Sequence, residues 1–387
     1  MIIQENRSFD NLFQGYPGAN TVASGQLSNG QTEQLRPLEI NIGFDINHGL
    51  GSFLDAYDNG NMDGFDLEPV EGHTKYKYPQ YSYVPANETQ LYRSLARTFV
   101  LADNMFASNL DASFVAHQYF IAATGHRAVN LPKGIWGCGS SVDTITDQRT
   151  VGPREKACFA EQTLADLADA KGVSWKMYAP IGKDPGTNWV GFQAIHHIRF
   201  GPDWHNVVRP QTRIFDDITS GQLPQISWVI PSLKFSDHPG GSRQGQDWVT
   251  DVVNAVGQSQ YWSTTAIFIV WDDWGGFYDH VPPPYEDYDG LGFRVPLIVV
   301  SPYAKSGVVS HVQYEFGSIL QFAEDTFGLG RLAASDTRAN SLIPDCFIFG
   351  QAPRHFHAFP TSLRPADFVR MSREPSAFTA RSERDGD

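Results

Sequence analysis

An adjacent pair of acids at the end of an apolar run is the feature of this sequence with the clearest chemistry. Asp272 and Asp273 follow a run that ends at Trp271, and they precede Trp274 and two glycines. Two carboxylates in a partly buried place repel each other unless a cation lies between them. Hard divalent cations take oxygen ligands of this kind, and a Gly-Gly turn lets a ligand approach the backbone closely. A solvated turn rich in Asp and Gly is the alternative, but the flanking tryptophans favour a metal site.

Glu5 and Asn6 form a second group of oxygen donors, directly after the strand-like pair Ile2 and Ile3. Their carboxylate and amide oxygens would complete a metal site that the acid pair begins. By itself this pattern is weaker, because Asn and Asp after a strand usually cap the following helix.

Ser113 stands where a polar segment leads into a helical pattern that includes Phe114, Tyr119 and Phe120. Backbone N–H groups and the helix dipole at such a position favour an alkoxide or a phosphate. A simple helix N-cap is the alternative for this serine.

Four histidines complete the candidates: His48, His196, His197 and His238. Any one of them is more often a hydrogen-bonded structural histidine than a catalytic one. As a set they could provide the positive, proton-donating surface that an acidic protein needs to hold a phosphate. The chain has no GxxxxGK[ST], GxGxxG or HExxH motif, which argues against nucleotide-loop and zinc-protease sites.

The composition excludes several classes of protein. The 387 residues carry 29 Lys and Arg against 43 Asp and Glu, a formal net charge of -14. This charge argues against nucleic acid or an anionic membrane as a partner, because their phosphates would be repelled. No stretch approaches the roughly 18 to 20 apolar residues of a transmembrane segment. No repeat or linker divides the chain, so we expect one domain over residues 1–375 and a loose tail over residues 376–387, with the oligomeric state left open.

Short apolar runs that stop at proline or polar residues predict the strands that must position these side chains. They are residues 173–178, 225–230, 265–271 and 295–301. Helical patterns lie over residues 88–99, 163–171 and 315–327. Strands that alternate with helices imply an α/β fold with a mostly parallel sheet covered on both faces. Ligands of such sheets gather at the carboxyl ends of the strands.

Cys138 and Cys158 flank a polar loop, whereas Cys346 stands alone in the sequence. A disulfide in an oxidising compartment and two buried free thiols are the alternatives for the pair. The chain begins abruptly, at Met1, in a strand-like run and has no basic segment followed by an apolar stretch. We therefore expect a periplasmic or secreted protein whose export signal is absent from this chain.

Several runs together resemble the bacterial phosphoesterase family, which contains acid phosphatases and phospholipases C. The most specific are Glu-Asn-Arg-Ser-Phe-Asp at residues 5–10 and Trp-Asp-Asp-Trp-Gly-Gly-Phe-Tyr-Asp-His-Val at residues 271–281. The others are at residues 47–49, 61–65, 292–296, 301–303 and 318–320, so the resemblance covers nearly the whole chain. It implies an alkaline-phosphatase-like fold, a three-layer α/β/α sandwich, with one catalytic divalent metal ion of unspecified identity.

The resemblance also implies roles for individual residues. The metal ligands would be Glu5, Asn6, Ser113, Asp272 and Asp273, and Ser113 would also be the nucleophile. The histidines that bind the phosphate and assist catalysis would be His48, His197 and His238, with His196 as the alternative to His197.

These roles imply a metal-dependent phosphoric ester hydrolase with a phosphoserine intermediate, acting on a small phosphate ester or a phospholipid head group. Phospholipases C of the family typically have Gly-Pro-Thr-x-Pro-Asn around the nucleophile, whereas this chain has Asp-Ala-Ser-Phe-Val-Ala at residues 111–116. The serine favours an acid phosphatase-type phosphomonoesterase, with a phospholipase C as the alternative. A non-catalytic protein that binds a ligand through its aromatic side chains is the alternative from another class. If cationic histidines hold the phosphate, activity should fall above about pH 6.5 to 7.

Overall fold

The computed structural model describes residues 1–374, and the predicted tail at residues 376–387 lies outside the described residues. The strands of the described part are β1 (Ile2–Gln4), β2 (Ser24–Gln26), β3 (Thr32–Gln34), β4 (Arg36–Pro37), β5 (Phe44–Ile46), β6 (Val70–Gly72), β7 (Ser82–Tyr83), β8 (Val100–Ala102), β9 (Ala128–Lys133), β10 (Ser141–Ile145), β11 (Val151–Lys156), β12 (Trp175–Tyr178), β13 (Val207–Val208), β14 (Ile226–Val229), β15 (Ile267–Trp271), β16 (Leu297–Val300) and β17 (Val308–Ser310). The α-helices are α1 (Phe9–Phe13), α2 (Leu50–Tyr57), α3 (Gln90–Thr98), α4 (Ser113–Ala122), α5 (Leu164–Ala170), α6 (His196–Arg199), α7 (Arg213–Thr219), α8 (Gly245–Gly257), α9 (Phe316–Phe327), α10 (Ala334–Arg338), α11 (Ile343–Cys346) and α12 (Pro365–Met371).

A central sheet organises the described residues, with eight strands in the order β13-β12-β14-β1-β15-β16-β8-β17. Every neighbouring pair in it is parallel except the two pairs that involve β16, which runs antiparallel to β15 and β8. The predicted mostly parallel sheet is therefore confirmed. The four apolar runs identified in the sequence form β12, β14, β15 and β16, and the three helical patterns form α3, α5 and α9.

Helices cover both faces of this sheet, as the side chains of β15 show. The ring of Phe268 packs on Phe322 of α9, whereas the ring of Trp271 packs on Tyr92 of α3. Residues 268 and 271 point to opposite faces, because side chains alternate along a strand. Helix α9 packs with α4, which also contacts α5, while α3 packs with α8, which also contacts α7. The molecule is a three-layer α/β/α sandwich, as expected.

The register of the two central strands brings distant motifs together. Gln4 of β1 pairs with Trp271 of β15, and both strands run in the same direction. Their next residues, Glu5 and Asp272, therefore leave the sheet side by side at the same edge. Glu5 and Asp272 are both fully buried.

A small antiparallel sheet has the order β11-β10-β9, and its strand β9 packs with α4. A disulfide joins Cys138 to Cys158 around this sheet, and Cys346 is a buried free thiol. Of the two alternatives for the cysteine pair, the structure contains the disulfide. Within residues 1–374, no helix combines the length and the apolar character that crossing a membrane requires.

Candidate active site

The candidate site lies at the carboxyl ends of β1 and β15. Asn6 adopts a left-handed backbone conformation with a φ of 59°, which Asn tolerates better than most residues. Its N–H donates to Oδ1 of Asp272 over 2.9 Å, and the N–H of Asp273 donates to the same oxygen over 2.8 Å. These hydrogen bonds connect the loop after β1 to the loop after β15. They use only Oδ1 of Asp272, so Oδ2 is left for another partner.

Ser113 reaches this edge from the first residue of α4. Its Oγ lies 3.1 Å from Oδ2 of Asp273 and 3.5 Å from Oδ1 of Asn6. The helix N-cap is Ala112, which has no side-chain capping bond, so the serine is not an N-cap residue. The hydroxyl faces the acids from a helix N-terminus, where the dipole stabilises negative charge.

The two glycines after the acid pair serve the protein's own packing. Gly275 has a φ of +60°, and a Cβ built there would lie 2.3 Å from the backbone oxygen of Asn6. A Cβ on Gly276 would lie 2.3 Å from Cγ2 of Ile46. We expected the glycines to admit a ligand to the backbone, whereas protein atoms occupy that space.

His117 is a site residue that the sequence analysis missed. It follows Ser113 by one turn of α4, so both side chains lie on the same face of the helix. Its Nε2 lies 3.0 Å from Oε1 of Glu5 and 3.8 Å from Oδ2 of Asp272. Burial lowers the pKa of His117 to about 4. The spacing of four residues was the signal in the sequence that could have identified it.

His48 contacts the site through Asn6. Nδ1 of His48 lies 2.6 Å from the carbonyl oxygen of Ile46, and its Nε2 lies 2.8 Å from Nδ2 of Asn6. Nε2 of His48 can accept from that amide only while the ring is neutral, and this arrangement turns Oδ1 of Asn6 toward Ser113. Burial alone would lower the pKa of His48, but the carboxylates of Asp273 and Asp45 raise it to about 9. The charge on His48 and the orientation of the Asn6 amide are therefore linked.

His238 lies in a buried loop near the same edge. Its Nδ1 is 2.6 Å from the carbonyl oxygen of Pro239, and its Nε2 is 3.9 Å from Oδ2 of Asp45. The ring stacks on Trp189 at a centroid distance of 5.7 Å. Asp45 thus lies beside His238 and also raises the pKa of His48, and this connection was not apparent in the sequence.

His196 and His197 occupy a different place. Both are exposed on α6, and Nε2 of His197 pairs with Oδ1 of Asp166 over 2.8 Å. The structure therefore brings Ser113, His48, His238 and the acidic residues to one region but leaves this histidine pair on the surface.

The donor set of the cluster fits a divalent cation. Oδ2 of Asp272 is buried and finds no hydrogen-bond partner among residues 1–374. Burial and repulsion from Asp272 raise the pKa of Asp273 well above its usual range. A cation between these groups would supply the missing partner and relieve the repulsion. Glu5, His117 and Asp272 also place one potential ligand atom each within 4.8 Å of one another.

Comparison with known proteins decides the family. A family model described as "Phosphoesterase family" matches residues 1–330, which includes every motif discussed above. The chain belongs to the Phosphoesterase family. The chain is 27% identical to the non-hemolytic phospholipase C of Burkholderia pseudomallei, over 84% of this chain and 54% of that protein. It is 33% identical to the hemolytic phospholipase C of Pseudomonas aeruginosa, over 85% of this chain and 52% of that protein.

Two further comparisons give lower sequence identities. The chain is 25% identical to phospholipase C A of Mycobacterium tuberculosis, over 85% of this chain and 72% of that protein. A solved structure described as a protein in the alkaline phosphatase superfamily from Vibrio parahaemolyticus covers 78% of the chain, at 11% identity and a TM-score of 0.37. The chain spans about half the length of the non-hemolytic and hemolytic relatives. The family and its phospholipase C members support the expected class, a phosphoric ester hydrolase.

Proposed function

We propose that this protein is a metal-dependent phosphoric ester hydrolase that uses Ser113 as its nucleophile and passes through a phosphoserine intermediate. The observation that carries the proposal is the position of Ser113. Its hydroxyl lies at the start of a buried ten-residue helix and within hydrogen-bond distance of Asp273. A structural serine needs no such set of buried acids around it.

The proposed metal ligands are Glu5, Asn6, Ser113, Asp272 and Asp273. A divalent cation at this site supplies a Lewis acid that lowers the pKa of the bound hydroxyl and offsets the charge of the phosphate. These five side chains come from three elements that the sheet register and helix α4 hold together. The chain thus fixes the position of the nucleophile before substrate binds, which reduces the entropic cost of reaching the transition state.

Side chains of the site orient the nucleophile, protonate the leaving group and bind the phosphate. Ser113 donates its hydroxyl hydrogen toward Oδ2 of Asp273, and this bond orients the lone pairs of Oγ toward the phosphorus atom. Attack forms the Oγ–P bond, passes the hydroxyl proton of Ser113 to Oδ2 of Asp273 and breaks the bond to the leaving alcohol, which His238 or a neighbouring group protonates. His48, through the positive charge of its protonated form, and His238 stabilise the phosphate oxygens. Water then attacks the phosphorus atom and breaks the Oγ–P bond, which releases phosphate, and the proton on Asp273 returns to Oγ of Ser113.

We favour a phosphomonoesterase of the acid phosphatase type, because the nucleophile is a serine. The test is hydrolysis of p-nitrophenyl phosphate from about pH 4 to pH 9, a range that spans histidine titration. Wild type, Ser113→Ala and the exposed-site control Ser306→Ala are compared before and after chelation and metal return. We expect Ser113→Ala and chelation to abolish activity, metal to restore it in wild type, and Ser306→Ala to behave as wild type. Activity that persists in Ser113→Ala would refute the nucleophile assignment.

A phospholipase C is the second candidate, because the relatives that match most of the chain carry that name. Phosphatidylcholine vesicles distinguish the two candidates, since only a phospholipase C releases diacylglycerol and phosphocholine. Turnover of vesicles without turnover of the aryl monoester would favour this candidate. Absence of turnover on both substrates with metal present would favour a ligand-binding protein.

A further inference from the structure

A buried imidazole faces the acidic cluster. His117 projects from the second turn of α4, and its side chain is 2% exposed. Its Nε2 points at two carboxylates that belong to two different strand ends, Glu5 after β1 and Asp272 after β15. Three separate elements therefore aim one donor atom each at a common point inside the protein.

The spacing of these atoms is that of ligands around one ion. Nε2 of His117 lies 3.0 Å from Oε1 of Glu5 and 3.8 Å from Oδ2 of Asp272. Nitrogen and oxygen ligands about 2.0 to 2.2 Å from a metal such as zinc lie about 3.0 to 3.5 Å apart in octahedral or tetrahedral arrangements. Small movements of side chains alone would therefore bring all three atoms into a coordination sphere.

Hydrogen bonding within the protein accounts for the contact with Glu5 but not for the approach to Asp272. An N–H on Nε2 has one hydrogen and satisfies Glu5 at 3.0 Å, but the distance to Asp272 is too long for a hydrogen bond. Oδ2 of Asp272 is buried and has no hydrogen-bond partner in the described part of the chain. A buried carboxylate oxygen without a partner is costly, and a cation supplies one.

We propose that Nε2 of His117 is a nitrogen ligand of the metal centre, beside the carboxylates of Glu5 and Asp272. This inference deepens the proposed function and rests on it only in placing a cation at this cluster. The family resemblance implied oxygen ligands alone. An imidazole in the set changes the metal that fits, because calcium and magnesium prefer oxygen, whereas zinc, manganese, iron and cobalt accept nitrogen. The site selects a divalent transition-type metal over calcium.

The test compares coordination in the full chain with His117→Gln and with the control His205→Gln. His205 is exposed and contacts the carbonyl oxygen of Pro202, away from the cluster. Each protein is stripped of metal and loaded with manganese for pulsed EPR of histidine labelled with ¹⁵N. Binding of zinc and of calcium is measured by titration. We expect nitrogen coupling in wild type and His205→Gln and none in His117→Gln.

Affinity provides the second readout. We expect His117→Gln to weaken zinc binding by more than about 10-fold, as loss of a ligand or its support does, while calcium binding changes far less. Equal losses for both metals would mean that His117 only orients Glu5, and would overturn the proposal. Nitrogen coupling that persists in a folded His117→Gln protein would overturn it as well, because it would assign the nitrogen to His48.

Two outcomes separate this inference from the proposed function. Nitrogen coordination without any hydrolysis would refute the proposed function and support His117 as a ligand. Hydrolysis with an oxygen-only coordination sphere would support the proposed function and refute His117 as a ligand. If His117→Gln fails to fold by circular dichroism, His48→Gln replaces it, and nitrogen coupling must then persist. Its loss in His48→Gln would overturn the assignment to His117.

Discussion

Oγ of Ser113 lies 3.1 Å from Oδ2 of Asp273, although 160 positions separate the two residues. One side chain begins a helix and the other follows a central strand. The contact joins two motifs of the chain into one place where a hydroxyl, a carboxylate and a helix N-terminus meet.

The first prediction concerns the covalent intermediate. We expect acid quenching of turnover with a labelled phosphate ester to leave phosphate on Ser113 and on no other residue, as peptide mapping by mass spectrometry would show. Ser113→Ala should carry no label and lose on the order of 10⁴-fold or more in kcat, the scale seen when a nucleophile is removed. Label found on a histidine would contradict the serine mechanism.

The second prediction concerns the close approach of two loops. Gly275→Ala places a Cβ 2.3 Å from the backbone oxygen of Asn6, at a φ of +60°. Left-handed strain costs about 1 to 2 kcal/mol and overpacking a further 1 to 3 kcal/mol. We expect the free energy of unfolding to fall by about 2 to 4 kcal/mol and metal affinity to fall with it, because Asn6 must move.

A helical glycine provides the control for this substitution. Gly51 lies on α2, and a Cβ there meets nothing within 4 Å. Gly51→Ala should raise the free energy of unfolding by about 0.5 to 1 kcal/mol. Urea unfolding measures both variants, and a Gly275→Ala protein as stable as wild type would show that the two loops are not tightly packed.

The third prediction concerns the buried ion pair of Arg294. Its Nε donates to Oδ1 of Asp279 over 2.8 Å and its Nη2 to Oδ2 over 3.1 Å, and all these groups are fully buried. Nη2 also lies 3.5 Å from Oδ1 of Asp10. Arg294→Met leaves two buried carboxylates without their cation, so we expect the free energy of unfolding to fall by about 3 to 5 kcal/mol.

An exposed pair is the matched control for Arg294. Arg213 and Asp216 form an ion pair on α7 whose side chains are 56% and 68% exposed. Arg213→Met should change the free energy of unfolding by less than about 1 kcal/mol. Equal effects of the two substitutions in urea unfolding would refute a stabilising role for the buried pair.

The fourth prediction concerns pH. Burial raises the pKa of Asp237 from 3.8 to about 6, against opposing effects of Tyr92 and Arg7. The folded protein therefore disfavours the charged carboxylate of Asp237. The protonated carboxyl contributes its full stability below about pH 4, and this contribution is lost as the pH rises through about 6. Asparagine stays neutral. Relative to wild type, Asp237→Asn should gain about 2 to 3 kcal/mol of stability between about pH 4 and pH 7.

Chemical unfolding at several pH values measures this gain. Asp216→Asn, at an exposed carboxylate, is the control and should show no comparable rise. A flat difference between Asp237→Asn and wild type across this range would mean that folding does not raise the pKa of Asp237. That result would contradict a desolvated environment for this side chain.

Local pattern in the sequence predicted the elements of this fold well. The apolar runs at residues 225–230 and 265–271 contain β14 and β15, and the pattern at residues 315–327 contains α9. Such patterns are local, because an element that buries a face must repeat its apolar residues with the period of that element. The acid pair after β15 and the pair Glu5 and Asn6 after β1 were identifiable for the same reason.

The tertiary structure alone decided which of these side chains meet. The pairing of Gln4 with Trp271 sets Glu5 beside Asp272, and the packing of α4 sets Ser113 and His117 over them. His197, which the family resemblance placed with the phosphate-binding histidines, lies on the surface with Asp166. Strand order, register and helix packing depend on contacts between distant parts of the chain. The sequence by itself therefore determined the chemical groups and the fold class, whereas long-range packing determined which groups form the site.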